Sequence, residues 1–351
     1  MTGALKGSAL RRGHIEGFLL DRGIAYERLG AIAENRTGAA KHVLLTSSPV
    51  QGLANASSDI DLIRIQESPL SVPRMATQIF EDGHHLEVIS FGSDEVSQAL
   101  ADLRELAGRA PAELIAGLEG WDRAHEVRTK YLERIVNGVA QDWSLPYADS
   151  HGDLAVVWMW GSLHRALKQI LFLRWAEAAG ETRGRLGYAV NAVLYLMDAI
   201  LSGDGDVYSN RKWFLLRWSR WLAADPGREH DAAAHLEQVR AAVMAAAREP
   251  DYAAELTPIF RALVHDVLET LAGVEEPPLR ARVSGAQVRH PFLPGAEMLL
   301  KGSVAIPVTG GGELTFETHA CDPAEIAPAR ARELLSAARA GLLFLDLGGA
   351  A

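Results

Sequence analysis

Apolar residues recur at helical spacing over residues 8–35, where Ile15, Phe18 and Leu19 are followed by Ile24, Leu29 and Ile32. Side chains three and four apart share a helix face, so this stretch predicts one or two helices, broken at Gly23 and Gly30. The pattern then shortens. HVLLT (42–46) reads as a buried strand, DIDLIRI (59–65) as a second with period-two alternation, and HHLEVISF (84–91) as a third. Between the last two, residues 67–83 carry Pro69 and Pro73 and predict a loop leading to a short helix or excursion.

From about residue 94 to 275 the periodicity is helical almost throughout, as in DEVSQALADLRELAGR (94–109) and the tryptophan- and leucine-rich stretch 153–180. Pro277 and Pro278 mark a boundary, because a proline pair stops a helix and extends the residue before it. Beyond it, Val304, Ile306 and Val308 alternate, as do Leu314 and Phe316, around a glycine turn; a hairpin is expected there, followed by a last helix over 323–341. The expected fold class is α+β: a small mixed-sheet domain at 1–95, a helical domain at 96–275, and a small hairpin-plus-helix segment at 276–351.

Composition narrows the function. With 48% hydrophobic and 23% charged residues, the 351-residue chain can bury a sizeable core. The net charge of −10 disfavours nucleic acid as a partner unless a local basic patch exists. A lone cysteine, Cys321, excludes an intrachain disulfide and a multi-thiolate zinc site, which fits a reducing cytoplasm. The N-terminus lacks the apolar core of a signal peptide. The densest apolar stretch, 187–203, is interrupted by Asn191 and Asp198 and reads as a buried helix rather than a membrane span. A cytoplasmic protein with no membrane partner is expected.

The chemistry concentrates in TSSPVQGLANASSDIDLI (46–63). Asp59 and Asp61, two apart on a strand, project from one face while Ile60 and Leu62 take the other. Adjacent carboxylates repel, and a hard divalent cation is one way to stabilise the pair; a solvated polar strand is the plainer alternative. Glu87, between Leu86 and Val88, could stand on the neighbouring strand. Three such carboxylates would suit two magnesium ions and in-line phosphoryl chemistry. Ser47 and Ser48, small and following a strand, suit a close approach of backbone to phosphate at a helix start, with Gly52 and Ala54 keeping the next turn narrow.

That segment resembles the signature of the nucleotidyltransferase superfamily that includes DNA polymerase β and the aminoglycoside nucleotidyltransferases. Ser47 and Ser48 align with its Gly-Ser, Gly52 and Ala54 with the next small positions, and Ser58, Asp59, Asp61 and Leu62 with its acidic end; Glu87 takes the third-acid position. The resemblance covers about residues 40–90 and departs at Ser47, where the family has glycine. It implies a nucleotidyltransferase domain in which Asp59 and Asp61 ligate two Mg2+ ions and Glu87 one of them. Ser47, Ser48, Gly52 and Ser58 would then serve the nucleotide.

It further implies an NTP substrate, ATP by default, and a small-molecule acceptor; protein or tRNA modification, or a catalytically degenerate binding domain, are the alternatives. His85 shares the strand parity of Glu87 and could serve as an auxiliary base or as a solvated strand-start histidine. Such enzymes also draw a basic residue from following helices. Lys212, ahead of the aromatic face of Phe214, Leu215, Trp218, Trp221 and Leu222, is the candidate phosphate contact, although that face reads most simply as core or interface. His164, Arg165 and Lys168 lie along another tryptophan-rich helix; His230 and His235 read as surface residues. A homodimer contact through the C-terminal segment is compatible with the pattern.

Overall fold

A computed structural model describes residues 2–37, 39–67, 76–181, 184–224, 231–246, 279–283, 288–293, 296–301, 304–308, 316–318, 326–341 and 343–347. The chain divides into two compact units. The first comprises residues 1–109, 117–158 and 205–213; the second comprises 110–116, 159–204 and 214–351. The architecture is α+β, a five-stranded mixed sheet followed by helices.

The first unit opens with helices α1 (Thr2–Leu20) and α2 (Tyr26–Thr37). Gly23, at φ +64, makes the turn between them. Gly30 does not break the chain as its composition suggests: it lies inside α2, where a Cβ would overlap the side chain of Gln141. The sheet comprises β1 (His42–Leu45), β2 (Ile60–Gln66), β3 (Thr77–Glu81), β4 (His84–Gly92) and β5 (Val139–Ala140), in the order β3-β4-β2-β1-β5. β2 and β4 are parallel and the other pairs antiparallel.

β3 corrects the expectation of an excursion before residue 84. Asp82 and Gly83, at φ 53 and 78, form the two-residue Asp-Gly turn whose twist matches a hairpin, so residues 77–81 fold back as a strand on β4. One sheet face, with Ile60, Leu62, Leu86 and Val88, packs on Ile15, Phe18, Leu29 and Ile32 of α1 and α2. The other face carries Asp61 and Glu87 at one end, then Ile63, Ile65, Ile89 and Phe91, all buried. Phe91 meets Tyr131 of α5 (Thr129–Asn137), with ring centroids 5.3 Å apart. Each fully buried aliphatic or aromatic side chain contributes about 1.5–3 kcal/mol, so both faces of β2 anchor the strand that carries Asp61. Helix α3 (Ser93–Ala107) follows β4, and α4 (Pro111–Ala124) and α6 (His151–Ala178) each run from one unit into the other.

In the second unit, α7 (Arg185–Gly203) is long and apolar enough to cross a membrane by length and composition. Its interior identifies it as a core helix. Buried Asp198 accepts hydrogen bonds from Arg217 Nη1 at 2.7 Å, on α8 (Phe214–Ala224), and from Ser162 Oγ at 2.5 Å, on α6. Of the predicted aromatic face of α8, Phe214, Trp218 and Trp221 are buried, whereas Leu215 and Leu222 face out and Arg217 takes an inward position. His164 is buried as well.

Helix α9 (Asp231–Ala246) follows. His230 lies outside the described residues, as does the His235 side chain. Helix α10 (Pro328–Arg339) packs Ala331, Leu334 and Leu335 against Leu171 and Trp175. The strands β6 (Leu279–Val283), β7 (Val288–Leu293), β8 (Ala296–Lys301), β9 (Val304–Val308), β10 (Phe316–Thr318) and β11 (Leu343–Leu347) form two three-stranded sheets. The hairpin expected across the glycine turn is not formed among the described residues: β9 pairs with β8, while β10 pairs with β6 in the other sheet. Cys321 lies outside the described residues.

Candidate functional site

The two-strand acidic arrangement is set by register. Asp61 on β2 and Glu87 on β4 are Cα partners of adjacent parallel strands, so their carboxylates leave the same sheet face side by side. Thr46, just past β1, donates its amide to the Asp61 carbonyl at 3.0 Å and its hydroxyl at 3.2 Å, which places the start of the serine loop beside Asp61. Asp59 lies one residue before β2 with its side chain 68% exposed.

Each carboxylate has a neighbour. Asp61 Oδ1 lies 3.6 Å from Arg134 Nη1 of α5. Glu87 Oε2 accepts Gln78 Nε2 at 3.1 Å, and Gln78 in turn accepts from His85 Nε2. His85 Nδ1 stands 3.5 Å from Asp59 Oδ1, and its ring stacks on exposed Phe80. His85 therefore lies beside Gln78 and Asp59, with both ring nitrogens facing a neighbour. Among the described residues, no three His, Cys, Asp or Glu side chains converge as a metal-binding group. The donors of Asp61 and Glu87 are the hard oxygens that Mg2+ takes, and their shared register suits one ion between them. Asp59 would have to turn from His85 to join them.

The loop from 46 to 59 contains no helix, contrary to the phosphate-binding helix start expected after Leu45. It makes one helical turn instead. Leu53 N bonds to Ser48 O and Gly52 N to Pro49 O, the paired bonds of a Schellman ending, with Gly52 at φ +62 in the left-handed position this motif requires. The helix is stopped at its first turn by its own C-cap. Ser47 adopts φ 65, a left-handed conformation that favours glycine, and its hydroxyl is buried without a hydrogen-bond partner. The serine at the family's glycine position thus keeps the glycine-type backbone. Ser48 is buried. Ser58 Oγ accepts the Asn55 amide at 2.9 Å, and Arg22 donates to the carbonyls of Asn55, Ala56 and Ser58, so Ser58 shapes the loop. Between this loop and α1 lies a cavity of ≈ 400 Å³, bordered by Gly13, His14, Gly17, Arg22, Pro49 and Asn55.

Lys212 is exposed, with Nζ 5.1 Å from the Trp213 ring centroid. Sequence reading passed over three other groups: Arg134, Glu133 and Tyr208. Buried Glu133 accepts Trp158 Nε1 at 2.7 Å and the Ser209 amide at 3.0 Å, which docks the returning segment 205–213. The Tyr208 phenol is pushed up to about 12, by burial first and then by the negative charges of Glu133 and Asp61; Asn210 and Arg134 act in the opposite sense. It remains a neutral hydrogen-bond donor near Asp61 at ordinary pH. Nothing local in the sequence pointed to Arg134 or to Tyr208.

The chain belongs to a family of proteins of unknown function (DUF6001), whose model matches residues 4–350. No curated protein sequence matches it. Among solved structures, it is similar to a nucleotidyltransferase-like protein from Exiguobacterium sibiricum 255-15, at 10% identity and a TM-score of 0.35, over 72% of this chain and 81% of that one.

Proposed function

We propose that this protein transfers a nucleoside monophosphate from an NTP, ATP by default, to a hydroxyl of a small molecule, releasing pyrophosphate. The observation that carries this reading is the register pairing of Asp61 with Glu87, at the end of a strand that follows the Ser47–Ser48 loop. In the transfer, the acceptor oxygen bonds to the α-phosphorus as the bond to the β-phosphate breaks, and pyrophosphate leaves. Asp61 and Glu87, with Asp59 turned inward, would hold Mg2+, which supplies charge neutralisation for the phosphates and the attacking oxygen. Glu87 Oε1, the oxygen not engaged by Gln78, would take the acceptor proton in this reading. The half-buried Arg134 guanidinium and the neutral Tyr208 phenol would orient phosphate oxygens. The net charge of −10 favours a small acceptor over a polynucleotide.

A second reading, a ligand-binding domain of the same fold without catalysis, draws support from the neighbours already facing each carboxylate. Calorimetric titration with Mg-ATP and other Mg-NTPs, joined to a pyrophosphate assay over an acceptor panel, separates the two. Metal-dependent binding with pyrophosphate release, both lost in Asp61→Asn, supports transfer; their absence in the unaltered protein refutes it.

A further inference from the structure

Arg134 puts a permanent positive charge on the carboxylate that the proposed chemistry needs. Its guanidinium stands 3.6 Å from Asp61 Oδ1, an ion contact too long for a hydrogen bond, and the two side chains are 27% and 19% exposed. A guanidinium carries five donors in a planar fork, well matched to phosphate oxygens, and no hydrogen bond from it is seen among the described residues. It is fixed there by α5, whose Leu132, Glu133, Ile135 and Val136 are all buried. Position, charge and unfilled donors describe a group that neutralises Asp61 while remaining able to bind an anion.

We propose that Arg134 is a latch on Asp61: it competes with a divalent cation for that carboxylate until a polyphosphate engages the guanidinium and draws it away. Metal and nucleotide entry are thereby coupled, each weak alone and stronger together. This rests on the reading of Asp61 and Glu87 as a metal pair. Two cations facing one carboxylate oxygen repel, so removing the guanidinium strengthens metal binding, whereas removing a guanidinium needed to hold Asp61 in place for the metal would weaken it.

The test measures Mn2+ binding, by the electron paramagnetic resonance of the free ion, to the unaltered full chain and to Arg134→Gln, Arg134→Lys and the double variant Arg134→Gln/Asp61→Asn. Tripolyphosphate binding is measured separately in the presence of a chelator. Circular dichroism and melting confirm that the variants fold. Removal of the charge is expected to tighten Mn2+ binding at least about five-fold, the lower end of usual coupling between sites. Arg134→Lys should retain weak binding, the gain should vanish in the double variant, and Arg134→Gln should lose metal-free tripolyphosphate binding. Equal or weaker Mn2+ affinity in Arg134→Gln overturns the latch and leaves the metal pair standing. Absence of Mn2+ binding in both proteins overturns the latch and the metal pair together. Tripolyphosphate binding unchanged in Arg134→Gln overturns the coupling.

Discussion

The imidazole ring of His14 occupies the space where Gly52 would carry a side chain: a Cβ there would lie 2.6 Å from the ring. Gly52 also sits at φ +62 as the stop of the single helical turn after Ser48. Gly52→Ala therefore meets both backbone strain and a clash, and should cost about 2 kcal/mol or more. The double variant His14→Ala/Gly52→Ala removes the clash and should recover part of the Gly52→Ala loss relative to His14→Ala alone. Urea denaturation of the four proteins measures both effects, and additive losses would show that the two residues are uncoupled.

Ser47→Gly should stabilise the protein by about 1 kcal/mol. It relieves a left-handed non-glycine backbone and removes a buried hydroxyl without a partner, against the extra chain entropy of glycine in the unfolded state. An upward shift of the urea midpoint at constant slope is the expected result. If stability rises while Mg-ATP binding is retained, the serine is a tolerated replacement; if binding falls, its hydroxyl contacts the ligand.

The buried Asp198–Arg217 pair in the second unit predicts strong non-additivity. Arg217→Met leaves the buried Asp198 carboxylate with the Ser162 hydrogen bond and the charge of Arg165, and should cost about 3–5 kcal/mol. Asp198→Asn combined with Arg217→Met removes both charges and should recover much of that loss. Thermal or urea melts of the cycle measure the coupling.

His151 predicts acid sensitivity. Burial first, and then the charge of Arg11, lower its pKa, while Asp206 acts to raise it. Its folded pKa lies below the unfolded value of about 6.5, so the unfolded chain takes up the proton first as pH falls. Its stability contribution is fully present above about pH 7 and is lost as pH drops towards the folded pKa. His151→Gln should flatten the fall in stability between about pH 7 and pH 5. His42, also lowered by burial, supplies a remaining part of the slope. An identical slope in the variant would remove His151 as the cause.

Several elements were legible locally because their signals are short-range. The three strand segments around residues 42, 60 and 84, the helix pair with its Gly23 turn, and the predominance of helix over 93–246 among the described residues follow from periodicity and turn chemistry; residues 247–275 lie outside the described residues. The Asp82–Gly83 hairpin signal was equally local, and the prolines upstream masked it. The break placed at Gly30 failed because a glycine's cause there is a distant side chain, Gln141, rather than the helix itself. The C-terminal strand partners failed for a related reason: alternation identifies a strand but not its mate.

By itself, the sequence determined that Asp61 and Glu87 lie on strand segments behind a small-residue loop, with Asp59 one residue short of the first strand, because side-chain parity is a property of the local backbone. Tertiary structure decided which carboxylates meet. Strand register set Asp61 against Glu87, while Asp59 turned to His85; helix α5 brought Arg134 onto Asp61, and residues 205–213 returned Tyr208 to the same place. These contacts join residues far apart in the chain, and they depend on how buried faces pack, which no local pattern encodes.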